Sequence, residues 1–531
     1  AQVLLVDDVA WVSAALDTRV ARINLASASV HNIEVPCGGT GALAHDDGNK
    51  RVLIACKNDD QLVAVSDDGA LLGTAALAGH PSALAVRGDA IDIATDRAPA
   101  ALVHATLTAD GRSFLTDLHA SALAHDGHGP ASSVVAEQSA GLAFVGDSAV
   151  AVYQTADHDD RAQPAAQGGY GSVVDGSPRI EPRLSAPCPA HPAVFDGSPR
   201  AFSGPSALLA LADNRVAVAA RFTDSVAIVD CSGNSDGKSA WRGTLRTGRG
   251  PRGLALSADG KTLFVDAGFD LAIDRVAVDD VVAAGALGQA AQPALAVARA
   301  LGASRLSDAA RHGEALFNDA TNTHLTPSGV VTCATCHPAG GEDGLVWFLH
   351  TPHLDAKVRR TQPAWSARPS NAPFHWDGAF ATAQDLERST IEELLEGDAL
   401  LVNLDDIAAY LAEASPPPPR PASSLDGARV SHGRDLFEGV AHCSDCHAGD
   451  LFADELRHDV LAHSSDIDVN IAGGSRTPSL LGVRARAPFL HDGSAATLAD
   501  RLANNPGDIH GITSALSAID TADLIAYLES L

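Results

Sequence analysis

From the amino terminus to about residue 298, apolar residues alternate with polar ones in short runs, and each run ends in turn-forming residues. The stretch RVLIACKNDDQLVAVSDDGALLG, starting at Arg51, holds two β-rich runs parted by Asn58, Asp59 and Asp60, then a turn at Asp67, Asp68 and Gly69. That is the punctuation of successive hairpins. WVSAALDTRVARINLAS, RVAVAARFTDSVAIVDCSG and GPRGLALSADGKTLFVDAGFDLAIDRVAV repeat the order of strand, short polar turn and strand. Units of about 40 residues with several short strands predict a β-propeller, and roughly 300 residues at that period predict about seven blades. The first strand, QVLLV, is expected to complete the last blade and so remove an exposed edge. Between Asp157 and Ser203 the alternation lapses into a Pro- and Gly-rich stretch, which predicts an insertion at 157–203.

From about Arg299 the period changes from two to that of helices. SDAARHGEALFNDA predicts an amphipathic helix with Ser307 or Asp308 as its N-cap, and LDDIAAYLAEA and TADLIAYLESL predict two more. SPPPPRPASS, Ser415 to Ser424, is a stiff polyproline linker between two halves of similar order. RHGEALF and SHGRDLF open the halves, RRTQPAW and SRTPSLL follow, then NAPFHWDGAF and RAPFLHDGSA, and AAYL or IAYL closes each. The expected fold is therefore multidomain. An all-β propeller occupies 1–298, and duplicated all-α modules resembling cytochrome c occupy 299–414 and 425–531, with the linker at 415–424 between them.

Each half carries one Cys-x-x-Cys-His motif, Cys333, Cys336 and His337 in CATCH, and Cys443, Cys446 and His447 in CSDCH. The spacing fits one helical turn. It lets two thiols bond to the vinyl groups of a haem while the adjacent imidazole binds its iron. A thioredoxin-like pair needs a βαβ context that is missing, and zinc needs two such pairs in one site or His at finger spacing. The expectation is two covalently bound haem c groups with His337 and His447 as proximal iron ligands. Cys37, Cys56, Cys188 and Cys231 remain. Pairing of sequence neighbours, Cys37 with Cys56 and Cys188 with Cys231, is favoured among three connectivities, with four buried free thiols as the alternative.

The formal net charge of -29 argues against nucleic-acid binding and against docking on anionic lipid, and no apolar run is long enough to span a bilayer. The start AQVLLVDD suits a chain whose secretion signal has been removed. The expected location is periplasmic or extracellular, or peripheral to a membrane complex. Asp157 to Asp160, in TADHDD, form a candidate calcium site.

The spacing GPxGLAxSxDGKxLFV resembles the YVTN-type propellers of bacterial exported proteins. CATCH with FHWDG, and CSDCH with RTPSLLGVRARAPFLHDGSAATL, resemble the bacterial di-haem cytochrome c peroxidase superfamily, which includes the di-haem enzyme of methylamine utilisation. The second resemblance spans about Arg299 to Leu531. It implies a peroxide-reducing haem in the first module, an electron-entry haem in the second, and Trp376 assisting transfer between them. It also implies an acid/base Glu after the WDG segment, for which Glu392, Glu393 and Glu396 are the candidates, although the family's Pro-containing loop is missing there. His510 lies where the family has a Met or Tyr above the second iron. His353, with His350 as the neighbouring alternative, resembles the first haem's displaceable distal ligand.

Two functions follow. One is peroxidase-like electron transfer with a cytochrome or cupredoxin as redox partner and the propeller as its docking platform. The other is a non-enzymatic relay or structural subunit of a larger membrane-associated redox complex.

Overall fold

Among the described residues, six mainly antiparallel sheets of three to five strands follow one another through the first 297 positions. The computed structural model describes residues 2–110, 114–123, 134–158, 173–174, 177–188, 202–232, 240–297, 304–351, 354–460 and 474–531. The first sheet joins Gln2–Val6, Val9–Ser13, Arg19–Asn24 and Val30–Glu34 in chain order, and the second and third, 43–76 and 81–122, repeat that four-stranded meander. The fourth is a long hairpin, Val134–Val145 with Ser148–Asp157, edged by Ile180–Leu184. The fifth and sixth are built on Pro205–Arg246 and Pro251–Ala277.

Alternate residues pack between neighbouring sheets. Val52, Ile54, Val63 and Val65 of the second sheet meet Trp11 and Val20 of the first, and Leu263 and Val265 of the sixth meet Val226 and Ile228 of the fifth. This is a β-propeller with six blades, one fewer than the repeat length predicted. The fourth sheet consumes Val134 to Leu184, and the helix Val278–Ala286 is inserted before the last strand, so 297 residues do not divide evenly at the repeat period.

The expected closure by the first strand is also corrected. Gln2–Val6 stays in its own sheet, leaving Val3 and Leu5 exposed. The fifth and sixth sheets are completed locally, by Ala290–Ala291 parallel to Trp241–Arg246 and by Ala294–Val297 against Ala272–Ala277. Part of the 157–203 insertion supplies the third strand of the fourth sheet, while 159–172, 175–176 and 189–201 lie outside the described residues. Cys37–Cys56 and Cys188–Cys231 are disulfide-bonded, and all four cysteines are buried between strands.

The carboxyl-terminal part is less helical than the sequence predicted. Its helices are short, and two-stranded ladders, Val346–Thr351 with Leu354–Arg360 and Arg457–His458 with Ser475–Arg476, join them. In the first half the helix Asp308–Phe317, capped by Ser307, crosses Leu404–Glu413 so closely that a Cβ on Gly313 would lie 1.9 Å from the Asp406 carbonyl oxygen. In the second half Gly427–Glu438 crosses Ala518–Glu529, and a Cβ on Gly433 would lie 2.0 Å from the Asp523 oxygen. Beside each glycine a His meets a carboxylate, His312 with Asp406 at 2.8 Å and His432 with Asp523 at 3.0 Å. Phe317 and Phe437 pack edge-on against Tyr410 and Tyr527, each at 5.2 Å between ring centroids. The duplication legible in RHGEALF and SHGRDLF is thus repeated in the packing.

This part sits on the propeller. Ala156, Ile180 and Phe222 of the propeller share one apolar core with Phe317, Trp347, Trp365 and Tyr410. Gln138 Nε2 donates to the Thr335 carbonyl at 2.6 Å, and Asp59 accepts from Arg420 Nε at 2.5 Å and Arg484 Nε at 3.0 Å.

Candidate functional site

The chemistry of both halves is positioned by a short helical turn that follows each glycine-crossed helix in the chain. In the first, Thr332 caps the turn Cys333–Cys336, and His337 N–H donates to the Cys333 carbonyl at 3.0 Å. In the second, His447 N–H donates to the Cys443 carbonyl at 2.9 Å. These bonds set two sulfurs and one imidazole on one turn, as the spacing predicted. Each imidazole has Nδ1 against a backbone carbonyl, His337 with Gly341 at 3.1 Å and His447 with Phe452 at 2.9 Å. An Nδ1–H donated there leaves the Nε2 lone pair as the ligand atom. Burial lowers both His pKa values and raises the Cys333 thiol to about 12 and Cys443 to about 11.

Each motif opens on a cavity. About 1230 Å³ of atom-free space, part of it open to solvent, adjoins Cys333, Cys336 and His337, and about 1070 Å³ adjoins Cys443, Cys446 and His447. The second cavity contains His510, whose ring stands 6.0 Å from the His447 ring at 82°. Two imidazoles bonded to one metal at about 2 Å each would place their centroids about 6 Å apart. His510 is held by its backbone N–H on Asn505 Oδ1 at 2.8 Å. Burial first, then Arg501 and His447, lowers its pKa to about 3, so the imidazole stays neutral and able to ligate at any ordinary pH.

The first cavity differs. Glu392 and Glu396 are exposed, Glu393 is half-buried, and none of the three lines it. The carboxylate in its wall is Glu387, which sequence reasoning missed. Both oxygens of Glu387 are buried without a hydrogen-bond partner, and burial, then Asp405, pushes its pKa to about 9. It lies on the helix Ala383–Ser389, which widens into a π-turn over Thr390–Leu394 along the same wall. The signal was available, because Ala383, Glu387 and Ile391 follow one another at i, i+4 and i+8, placing a Glu on the apolar stripe. His375 also lines this cavity. His353 and the side chain of His350 lie outside the described residues, as do Asp159 and Asp160 of the proposed cation site.

Trp376 stands in the wall common to both cavities. Its indole N–H donates to the Arg360 carbonyl at 2.8 Å, and its ring meets His491, its counterpart in the second half, at 6.3 Å. Cys446, Asp454 and His458 bring three ligand atoms within 4.8 Å of one another, an arrangement that competes with a thioether at Cys446 rather than adding to it.

The chain is similar to two curated proteins. It is 26% identical over 280 residues to hydrazine synthase subunit gamma of Kuenenia stuttgartiensis, covering 42% of this chain and 78% of that protein. It is 28% identical over 278 residues to methylamine utilization protein MauG of Methylorubrum extorquens, covering 41% and 76%. Solved structures with similarity include a Kuenenia stuttgartiensis hydrazine synthase pressurized with xenon, at 24% identity, 43% and 89% coverage and a TM-score of 0.36. A MauG-like protein associated with microbial copper homeostasis follows at 20%, 43% and 89%, with a TM-score of 0.34. No family model matches the chain.

The donor sets suit a covalently held tetrapyrrole. Each cavity combines two thiols, a lone-pair-bearing imidazole, apolar walls and buried polar atoms without partners, among them Glu387 Oε1 and Oε2 in the first and Arg476 Nε in both. Among the described residues no helix is long and apolar enough to cross a membrane.

Proposed function

We propose that this chain is an exported di-haem c-type cytochrome of the di-haem peroxidase type, its modules spanning 299–414 and 425–531 and its propeller serving as the docking platform for a redox partner. The observation that carries this reading is the pair His447 and His510, both lining one cavity beside Cys443 and Cys446 with ring centroids 6.0 Å apart, a separation that fits two ligands of one metal. Haem c held there supplies one-electron chemistry and, where an axial face is open, an iron that binds peroxide.

The residues divide that work. Cys443 and Cys446 would fix one group and His447 and His510 would hold its iron, a set of donors that would suit the second site to electron relay. Cys333, Cys336 and His337 fix the other. Glu387 faces that cavity as a carboxylic acid at neutral pH, because burial holds its proton to about pH 9. It can deliver that proton to a peroxide oxygen or take one back, the role of a general acid and base. Trp376 fills the wall between, so an electron entering at the second site meets an indole on its way to the first. A cytochrome or cupredoxin is the partner class. The disulfides support an oxidising compartment.

The test is optical and mass spectrometric. Denatured protein is expected to keep Soret absorbance and the added mass of two haems. The native oxidised spectrum is expected to contain one low-spin centre and one that responds to peroxide. Bare polypeptide mass would overturn the reading. Two low-spin centres indifferent to peroxide would replace the peroxidase with a relay subunit of a larger complex.

A further inference from the structure

The wall between the two cavities is built from related residues exchanged across the halves. Arg360 ends the strand Leu354–Arg360, and Arg476 ends Ser475–Arg476, at matching places in RRTQ and SRTP. Each passes its backbone N–H to the other half, Arg360 to the His491 carbonyl at 2.6 Å and Arg476 to the Trp376 carbonyl at 2.9 Å. Their guanidinium groups do the same, Arg360 Nη2 to the Arg486 carbonyl at 2.5 Å and Arg476 Nη2 to the Asn371 carbonyl. Both side chains line both cavities, and each keeps a buried Nε with no hydrogen-bond partner.

They differ in charge balance. Arg360 lies 2.7 Å from the Glu342 carboxylate, which also accepts from Arg486 Nε at 3.1 Å. Arg476 is 3% exposed, and no carboxylate among the described residues pairs with it. Burial lowers its pKa to about 10, with Glu455 and Asp454 opposing only at a distance. A buried cation without a counter-charge is strongly disfavoured. A guanidinium edge left open toward a cavity is suited to a carboxylate arriving there.

We propose that Arg476 is the shared cation for the propionate carboxylates of both haems, and that its charge raises the reduction potential of both centres. The inference rests on the haem reading above. Reduction adds one electron to a centre, so a fixed positive charge in a wall of low dielectric favours the reduced form on either side of it. Arg360 has the Glu342 carboxylate at 2.7 Å opposing its charge, although it shares that carboxylate with Arg486, whereas Arg476 has none among the described residues.

The test uses the full-length holoprotein carrying Arg476→Gln or Arg476→Lys, with haem content counted by mass and pyridine haemochrome. Spectroelectrochemical titration is expected to show both midpoints lower in the Gln variant, by about tenfold in electron affinity, or about 59 mV for a one-electron couple. Lys is expected to restore most of that loss. With two haems attached, a fall at one centre only, or at neither, overturns the proposal. If the Gln variant fails to fold or to load, the Lys variant decides through resonance Raman. Shifted propionate-bending bands at both centres support the shared contact, and unshifted bands at either overturn it. Wild-type protein without attached haem would overturn the underlying reading, and this inference with it, a result distinct from loaded protein whose potentials do not move.

Discussion

Glu387 occupies a helical position that its neighbours reserve for apolar side chains, and its proton is the consequence. The folded chain holds that proton to about pH 9 against an ordinary value of 4.5. The folded state therefore binds more protons than the unfolded state between those values. The contribution is fully present below about pH 4.5 and is lost as pH climbs toward 9. Glu387→Gln is expected to flatten this decline in denaturant titrations across that range. It is also expected to slow peroxide turnover by about 10² to 10⁴-fold, with the haem spectra unchanged. His510→Ala is expected to open the second site, giving a high-spin band in the oxidised spectrum that the parent lacks at that centre. The placing of two sulfurs and an imidazole on one turn was legible in the Cys-x-x-Cys-His spacing, whereas the presence of His510 in the second cavity was suggested by the family resemblance alone. Glu387 was not legible, because three other glutamates within nine residues mask it unless burial is read from the helical period.

At the scale of elements, the two helix crossings depend on hydrogen atoms where every other residue has carbon. Gly433→Ala would drive a methyl group to 2.0 Å from the Asp523 oxygen, and Gly313→Ala to 1.9 Å from that of Asp406. Each is expected to cost about 1–3 kcal/mol or more, read as a fall in the thermal midpoint. The second substitution is also expected to loosen the Phe317–Tyr410 contact beside the first cavity. The duplicated helices were legible from periodicity, and of the two caps the sequence offered, Ser307 and Asp308, the structure uses Ser307. The number of blades was not legible, because a repeat period counts residues and cannot foresee a long hairpin, Val134 to Asp157, or a helix set inside the last blade. The ladder ending in Arg476 was missed because its strands are two residues long, and the one ending in Arg360 because charged residues interrupt its alternation.

For the whole molecule, the carboxyl-terminal part is fastened to the propeller by a buried charge as well as by apolar contact. Asp59 is almost fully enclosed and holds both Arg484 and Arg420. Asp59→Ala removes the carboxylate opposite Arg484, leaving that buried cation only the Gly38 and Pro418 carbonyls, and is expected to cost about 3–5 kcal/mol. The measurable outcomes are a lower first unfolding transition and faster protease cleavage in 415–424.

The exchange of Arg360 and Arg476 across the halves carries a different consequence. Neither half finishes its own chamber, since His491 anchors one arginine and Trp376 the other. Among the described residues lining the first cavity only Arg476 comes from the second half, so a fragment ending at the polyproline linker would carry a complete attachment motif and a pocket that lacks this one cation. Such a truncation could still load its haem while missing the charge that the other half supplies, and covalent loading alone would therefore be a poor sign of a working centre.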